Sequence, residues 1–270
     1  MPHVEANGLQ LFYAEGGEGD PLLLVPGLAG DHLIWAEQRE AWNEHFRVIS
    51  FDNRDVGQSS YVEEAYDTGD MAADALALAD ALELERFHVL GLSMGGMIAQ
   101  HLALRVPDRI ASLTLCMTYG GGGNWARERS RLMAYDAMRR PREEEAEHAL
   151  IGCFSEAMLE DPERMAYFRK LSQENPHPQP VEAYCRQLQA LGAHDLRDRL
   201  HELRLPTHVI VTEHDLVVPP WKQRELADLL PEARVSVIER GSHAANMERA
   251  DEFNELVLSF LLEQRERAAA

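Results

Sequence analysis

Three residues of this chain combine types and positions that suit covalent chemistry: Ser93, Asp215 and His243 each stand where a strand-like run ends. Ser93 lies in Gly91-Leu92-Ser93-Met94-Gly95-Gly96, after the run 87–92 and before an apolar helical pattern. A G-x-S-x-G crease puts the serine in a strained turn, and glycines two residues to either side let strand and helix approach closely. The hydroxyl then stands clear of the sheet at the positive end of a helix, where developing negative charge is stabilised. Two phosphate-loop patterns fail. Position 93 is serine where G-x-G-x-x-G needs glycine, and the lysine of G-x-x-x-x-G-K-[ST] is absent.

A serine hydroxyl needs a base to take its proton, and that base needs a third group to orient it. Of the 12 histidines, His88 sits inside a strand and His101 on the helix after the crease, both positions for packing. His148, His177, His194 and His201 fall in a later helical region, where solvated or capping roles are the default. His243, in "RGSHAANMER", follows the last strand-like run on a loop at the carboxyl end of the sheet, where ligands bind in open α/β folds. Asp215 ends "IVTEHD" in the same structural position one strand earlier. His214 is the alternative base, and Glu213, Asp52 and Asp55 are the alternative carboxylates. An oxyanion formed at Ser93 needs two donors: the backbone N–H of Met94, and one from the "PGLAG" loop at 26–30, for which Leu28 is the choice.

These groups require a scaffold that ends several strands at one rim. Stretches 9–15, 21–27, 46–52, 87–93 and 110–117 read as strands, and 31–44, 68–84 and 94–106 as helices between them. Continuous apolar strands alternating with helices imply a parallel sheet covered on both faces. From 125 to 204 the pattern is helical without a convincing strand, and the acidic run 143–145 suits a helix N-terminus. Strand character returns at 206–215 and 234–239, with helices at 221–230 and 245–265. The division is a first core part (1–118), a helical insertion (119–204) and a second core part (205–270).

Composition narrows the partners. The 26 basic and 46 acidic residues give a net charge of −20, which argues against nucleic acid and anionic membrane surfaces. No run reaches the roughly 18–20 apolar residues that span a bilayer. The N-terminus has neither a basic region nor an apolar core of a signal peptide, so the expected location is cytoplasmic. Cys116, Cys153 and Cys185 are odd in number and far apart, as reduced core residues are, and form no zinc pattern.

Taken in order, Ser93, Asp215 and His243 resemble the catalytic set of the α/β-hydrolase superfamily, and the likeness extends over nearly the whole chain. "FDNRDVGQS" (51–59) is similar to the family's D-x-R-G-x-G-x-S turn, with Asp55 where glycine is commoner. Pro26 stands where many members have histidine before the glycine, and Thr212 where "TEHDLVVP" (212–219) otherwise begins with glycine. The resemblance implies a mostly parallel eight-stranded sheet with helices on both faces, an inserted helical cap over the active site, and no cofactor or metal. Within the superfamily the chain resembles small bacterial esterases and lactonases, 3-oxoadipate enol-lactonases and aclacinomycin methylesterases among them. The expected activity is hydrolysis of a small, largely apolar carboxylic ester or lactone through an acyl-enzyme. Carbon–carbon hydrolysis of a dicarbonyl compound, cofactor-free perhydrolysis (haloperoxidase-like) and a slow-turnover small-molecule receptor are the alternatives. Trp35, Met117, Trp125 and Met133 are the candidate pocket residues, with Tyr135 and Met138 beside them. Methionines at a pocket mouth suit adaptable apolar groups.

Overall fold

Apolar runs of five or six residues, too short for buried helices and bounded by turn residues, become the centre of a sheet. In the computed structural model, which describes residues 2–269, the strands are β1 (His3–Ala6), β2 (Leu9–Gly16), β3 (Pro21–Val25), β4 (Arg47–Phe51), β5 (Phe87–Leu92), β6 (Ile110–Cys116), β7 (Thr207–Thr212) and β8 (Ala233–Ile238). Among the described residues they form one sheet in the order β1-β2-β4-β3-β5-β6-β7-β8. It is antiparallel at β1–β2 and β2–β4 and parallel elsewhere. Strand β1 is an addition to the strands expected from the pattern. It returns into β2 through Asn7-Gly8, both with positive φ (52° and 75°), the backbone of a two-residue hairpin turn that Asn-Gly favours.

Side chains on the central strands alternate between the two faces. Leu23, Val25 and Val89 pack with Met71 and Leu78 of α2 (Thr68–Ala81) and Ile98 and Leu102 of α3 (Met94–Arg105). Leu22, Leu24 and Leu90 pack on the opposite face with Trp42 of α1 (Ala36–Trp42). Phe253, Val257 and Phe260 of α11 (Ala250–Ala269) complete that second core.

Helix ends differ from the periodicity where local bonds intervene. The stretch 31–44 starts as a 3₁₀ turn over His32–Trp35, with Asp31 accepting the Leu33 N–H, and only then becomes α1. Asp67 and Asp70 cap α2 reciprocally. Its far end closes at Ala81, where Glu83 takes a left-handed φ of 56° and the Leu84 N–H bonds the Ala79 carbonyl (2.8 Å). The final helix is broken at Arg249 into α10 (Ala245–Glu248) and α11.

Between β6 and β7 lie α4 (Gly123–Ala137), α5 (Arg142–Cys153), α6 (Glu156–Leu159), α7 (Pro162–Gln173) and α8 (Val181–Ala193), followed by α9 (Pro220–Leu229) after β7. The entrance and exit of this helical insertion are joined by an isolated bridge between Gly121 and Asp195 and by the Leu196 N–H on the Gly120 carbonyl (2.7 Å). The acidic run stands in the first turn of α5, with the side chain of Glu143 outside the described ones. The three cysteines are free thiols. Among the described residues no helix is long and apolar enough to cross a membrane.

Three buried histidines give the fold an acid limit. His88 bonds Ser112 (2.7 Å), His208 bonds Ser236 (2.8 Å) and His194 contacts Thr68 (3.2 Å). Burial pushes His88 and His208 from 6.5 down to about 4, and His194 to about 3. Below pH 6.5 the unfolded chain binds protons at these rings that the folded chain refuses. Stability therefore declines as pH falls from 6.5 toward 4, by up to about 1.4 kcal/mol per pH unit for each ring. Urea midpoints recorded between pH 7.5 and 5.5 are expected to fall with acidity, and His208→Gln to flatten the decline by about one third. An unchanged slope in His208→Gln removes that ring from the account.

Candidate active site

The crease at the end of β5 is built from close backbone contacts. Ser93 adopts φ 55° and ψ −120°, a strained conformation held by its own N–H on the Cys116 carbonyl (2.9 Å) and by Thr118 Oγ1 donating to its carbonyl (2.7 Å). A Cβ on Gly95 would lie 2.1 Å from the Val25 carbonyl oxygen, and one on Gly91 would lie 2.3 Å from the Gly95 carbonyl oxygen. Neither position accepts a side chain, which is the physical content of the G-x-S-x-G spacing. A Cβ on Gly96 would lie 2.5 Å from Thr118, so the glycine after the motif also makes room for the threonine that holds Ser93.

Ser93 Oγ is 3.0 Å from His243 Nε2, and His243 Nδ1 is 2.9 Å from Asp215 Oδ2. All three residues are buried, at 6%, 8% and 3% exposure. Asp215 is anchored by five groups. Its Oδ1 accepts the N–H groups of Val217 and Val218 (2.8 Å each), and its Oδ2 accepts Gln223 Nε2 (3.0 Å) and the Thr212 hydroxyl (3.5 Å) in addition to the histidine. Gln223 is fixed in turn: its Oε1 accepts the Thr212 N–H (3.0 Å) and its Nε2 donates to the Val218 carbonyl (2.7 Å).

The alternative acids and base are engaged elsewhere. Asp52 pairs with His32 (2.7 Å), Asp55 with Arg186 (2.8 and 2.9 Å) and Glu213 with Arg224, while His214 is exposed. Asp55 has a φ of 67°, which is why glycine suits that position. Its carboxylate also accepts the Val62 N–H and the Tyr66 hydroxyl (2.9 Å each), bonds that hold the aspartate in place.

Beside the serine runs the 26–30 loop, where a Cβ on Gly27 would lie 3.2 Å from Ser93 Cβ. Among the described residues no protein acceptor bonds the N–H of Leu28 or of Met94. A hydroxyl, an imidazole and a carboxylate in one hydrogen-bonded line can pass a proton, and two N–H groups without a protein acceptor on the adjoining turns can accept an anion. Cys153 is the nearby thiol, but burial, with the Asp215 charge adding to it, pushes it up to about 12, so it stays protonated.

The residues expected to line a pocket disperse. Trp35 and Met117 are sealed in the α1/α11 core, Trp125 packs edge-on against Tyr119 (5.8 Å) and Met133 is half-buried. Tyr135 and Met138 are exposed, at 47% and 60%. Among the described residues no group of three or more His, Cys, Asp or Glu side chains is placed to hold a metal ion.

Two anchoring residues have no sequence pattern to mark them. Gln223 is one. Glu248 is the other: its Oε1 accepts the Ser242 N–H (2.8 Å) and its Oε2 the Ser155 N–H at the start of α6 (3.0 Å). With the Ala244 N–H on the Cys153 carbonyl (3.0 Å), it ties both neighbours of His243 to the helical insertion.

Comparison with known proteins agrees with this architecture. A family model described as the alpha/beta hydrolase fold matches residues 20–250. A protein of Agrobacterium fabrum provisionally named the carbamate hydrolase RutD is 32% identical, over 96% of this chain and 98% of its own. A Mycobacterium tuberculosis protein provisionally named the non-heme bromoperoxidase BpoC is 30% identical, over 93% and 97%. The crystal structure of the enol-lactonase from Burkholderia xenovorans superposes with a TM-score of 0.88 at 32% identity, covering 97% of this chain and 100% of that one.

Proposed function

The chain belongs to the α/β-hydrolase family, and from that premise we propose that it is a serine hydrolase of a small carboxylic ester or lactone, acting through an acyl-enzyme. The single observation that carries the reading is the continuous hydrogen-bond chain from Ser93 through His243 to Asp215. The likeness to an enol-lactonase over nearly the full length supports the lactone side of it.

In this mechanism His243 Nε2 takes the proton of Ser93 as Oγ attacks the carbonyl carbon. Asp215 keeps the proton of the neutral ring on Nδ1 and stabilises the imidazolium that forms. The N–H groups of Leu28 and Met94 bind the oxyanion, which removal of one such donor elsewhere shows to be worth about 10²–10³ in kcat. The imidazolium then protonates the leaving alkoxide. Water, deprotonated by the same ring, attacks the acyl-enzyme and releases the acid. From a lactone the alkoxide stays tethered, and the product is one hydroxy acid. The helical insertion serves as a cap over this centre, the role to which its bonds to Glu248 of α10 and to the Ala29 loop are suited.

The test pairs covalent labelling with a substrate panel. A fluorophosphonate is expected to label the wild-type protein and not Ser93→Ala, and turnover is expected on activated short-chain esters and on lactones. Vinylogous diketones in the same panel read out carbon–carbon hydrolysis. Labelling that persists in Ser93→Ala, or binding without turnover across the panel, ends the proposal. The likeness to a protein named as a bromoperoxidase favours one second reading, interception of the acyl-enzyme by hydrogen peroxide. That reading expects peroxide-dependent halogenation in acetate buffer and its loss in Ser93→Ala.

A further inference from the structure

The 26–30 loop holds a turn whose shape the loop residues alone do not favour. The Gly30 N–H bonds the Gly27 carbonyl (3.2 Å), with Leu28 and Ala29 at the centre. Ala29 has a φ of 58°, whereas Leu28 is not among the residues with positive φ. Positive φ confined to the third position marks a type II turn, and glycine is the residue that takes it freely. For alanine this backbone costs about 1–2 kcal/mol, so the conformation must be held from outside the loop.

The holder lies 158 residues away on α8. Gln187 Oε1 accepts the Ala29 N–H at 3.0 Å, the N–H of the central peptide that distinguishes this turn from its type I alternative. Gln187 is fully buried and its amide cannot rotate. Its Nε2 donates to the Arg54 carbonyl (3.1 Å), and its Oε1 also accepts Gln179 Nε2 (3.1 Å). A flip would set donors against donors and oxygen against oxygen. Next to it, Arg186 grips the buried Asp55 with two bonds, so the helix that carries the glutamine is itself fastened to the core.

We propose that Gln187 is a positioning residue through which the helical insertion sets the oxyanion-binding turn. By holding the Ala29 peptide it keeps the adjoining Leu28 N–H aimed at the reacting centre. The inference rests on the acyl-transfer reading above, and the substrate is the same ester or lactone. Loss of the bond lets the central peptide turn over toward the form alanine prefers. A displacement of about 1 Å at such a centre costs up to about 10²-fold.

Gln187→Met keeps the length of the side chain and removes the acceptor. On p-nitrophenyl acetate it is expected to lower kcat about 10- to 100-fold with KM nearly unchanged, below the full loss of a donor. The inhibition constant of an alkyl trifluoromethyl ketone, whose adduct on Ser93 carries an oxyanion, is expected to rise by a similar factor. Adding Ala29→Gly supplies a residue that adopts the turn unaided, and the double variant is expected to regain most of the lost kcat. A merely structural glutamine has no reason to be rescued there. Should Gln187→Met fail to fold, Gln187→Glu carries the test at pH 6, where burial favours a protonated carboxyl that accepts the Ala29 N–H and donates to the Arg54 carbonyl, and kcat is expected to stay within about threefold of wild type at the same pH. Unchanged kcat in Gln187→Met, no rescue by Ala29→Gly, or a Gln187→Glu protein as impaired as expected for Gln187→Met overturns the inference. A wild-type protein without ester turnover removes it together with the acyl-transfer reading, whereas an active wild type with an indifferent Gln187 removes it alone.

Discussion

Ser93→Ala is expected to lower kcat on an activated ester by about 10⁶-fold, and the Ser93→Ala/His243→Ala double variant by scarcely more. A factor of that size is about 8 kcal/mol of transition-state stabilisation, far above any single hydrogen bond of the site. In the proposed mechanism it is lost whole because the three groups act as one unit: without Oγ, His243 Nε2 has no proton to take, and without the imidazole the hydroxyl is no nucleophile. In that mechanism the residual activity, about 10³-fold over water, belongs to substrate binding and the N–H groups of Leu28 and Met94. Alanine keeps the strained φ of 55° and every backbone bond of the crease, so the melting temperature is expected to stay within a few degrees of wild type. Steady-state kinetics and calorimetry on the two variants check both halves. Ser93→Ala with more than a hundredth of the wild-type rate, or further loss in the double variant by a second factor comparable to the first, sinks the assignment.

The parts of this site that could be read from the chain are those whose meaning is local. The crease at Ser93 announces itself because its glycines answer clashes within a few residues, such as the 2.3 Å approach of a Gly91 Cβ to the Gly95 carbonyl oxygen. Asp215 and His243 stand out because they end strand-like runs at the same rim. Asn7-Gly8 is equally local, but β1 is too short for the alternation of His3, Val4, Glu5 and Ala6 to stand out as a strand. The split at Arg249 and the early end of α2 turn on capping bonds that periodicity does not encode. Gln187, Gln223 and Glu248 were not legible at all. Each is an ordinary polar residue on a helix, and its importance comes from acceptors or donors brought to it by the tertiary fold, 158 residues away for Gln187. Pocket lining is hard to read for a related reason: Trp125, Met133 and Tyr135 lie on α4, but only packing decides which of its faces is covered.

The same anchoring makes the orienting carboxylate sensitive to a change of one atom. Asp215→Asn is expected to lower kcat by about 10⁴-fold, the cost of presenting the base in the wrong tautomer. If the new amide nitrogen replaces Oδ2, it donates to His243 Nδ1, the ring proton moves to Nε2, and Nε2 can no longer accept from Ser93. That nitrogen also meets Gln223 Nε2, a donor held in place by its bonds to Thr212 and Val218. If the amide flips, its nitrogen faces the N–H groups of Val217 and Val218 instead. Either orientation buries unsatisfied donors at about 1–3 kcal/mol each, so the melting temperature is expected to drop by several degrees while the fold persists. Gln223→Glu in the Asp215→Asn background is expected to recover stability only while its buried carboxyl is protonated, when the O–H donates to the Val218 carbonyl and accepts from the new amide, and not to recover kcat, because the histidine tautomer stays wrong. Thermal melts and kcat on the two variants separate the effects. Recovery of both together places the role of Asp215 in packing, and wild-type turnover by Asp215→Asn transfers the orienting role to another carboxylate.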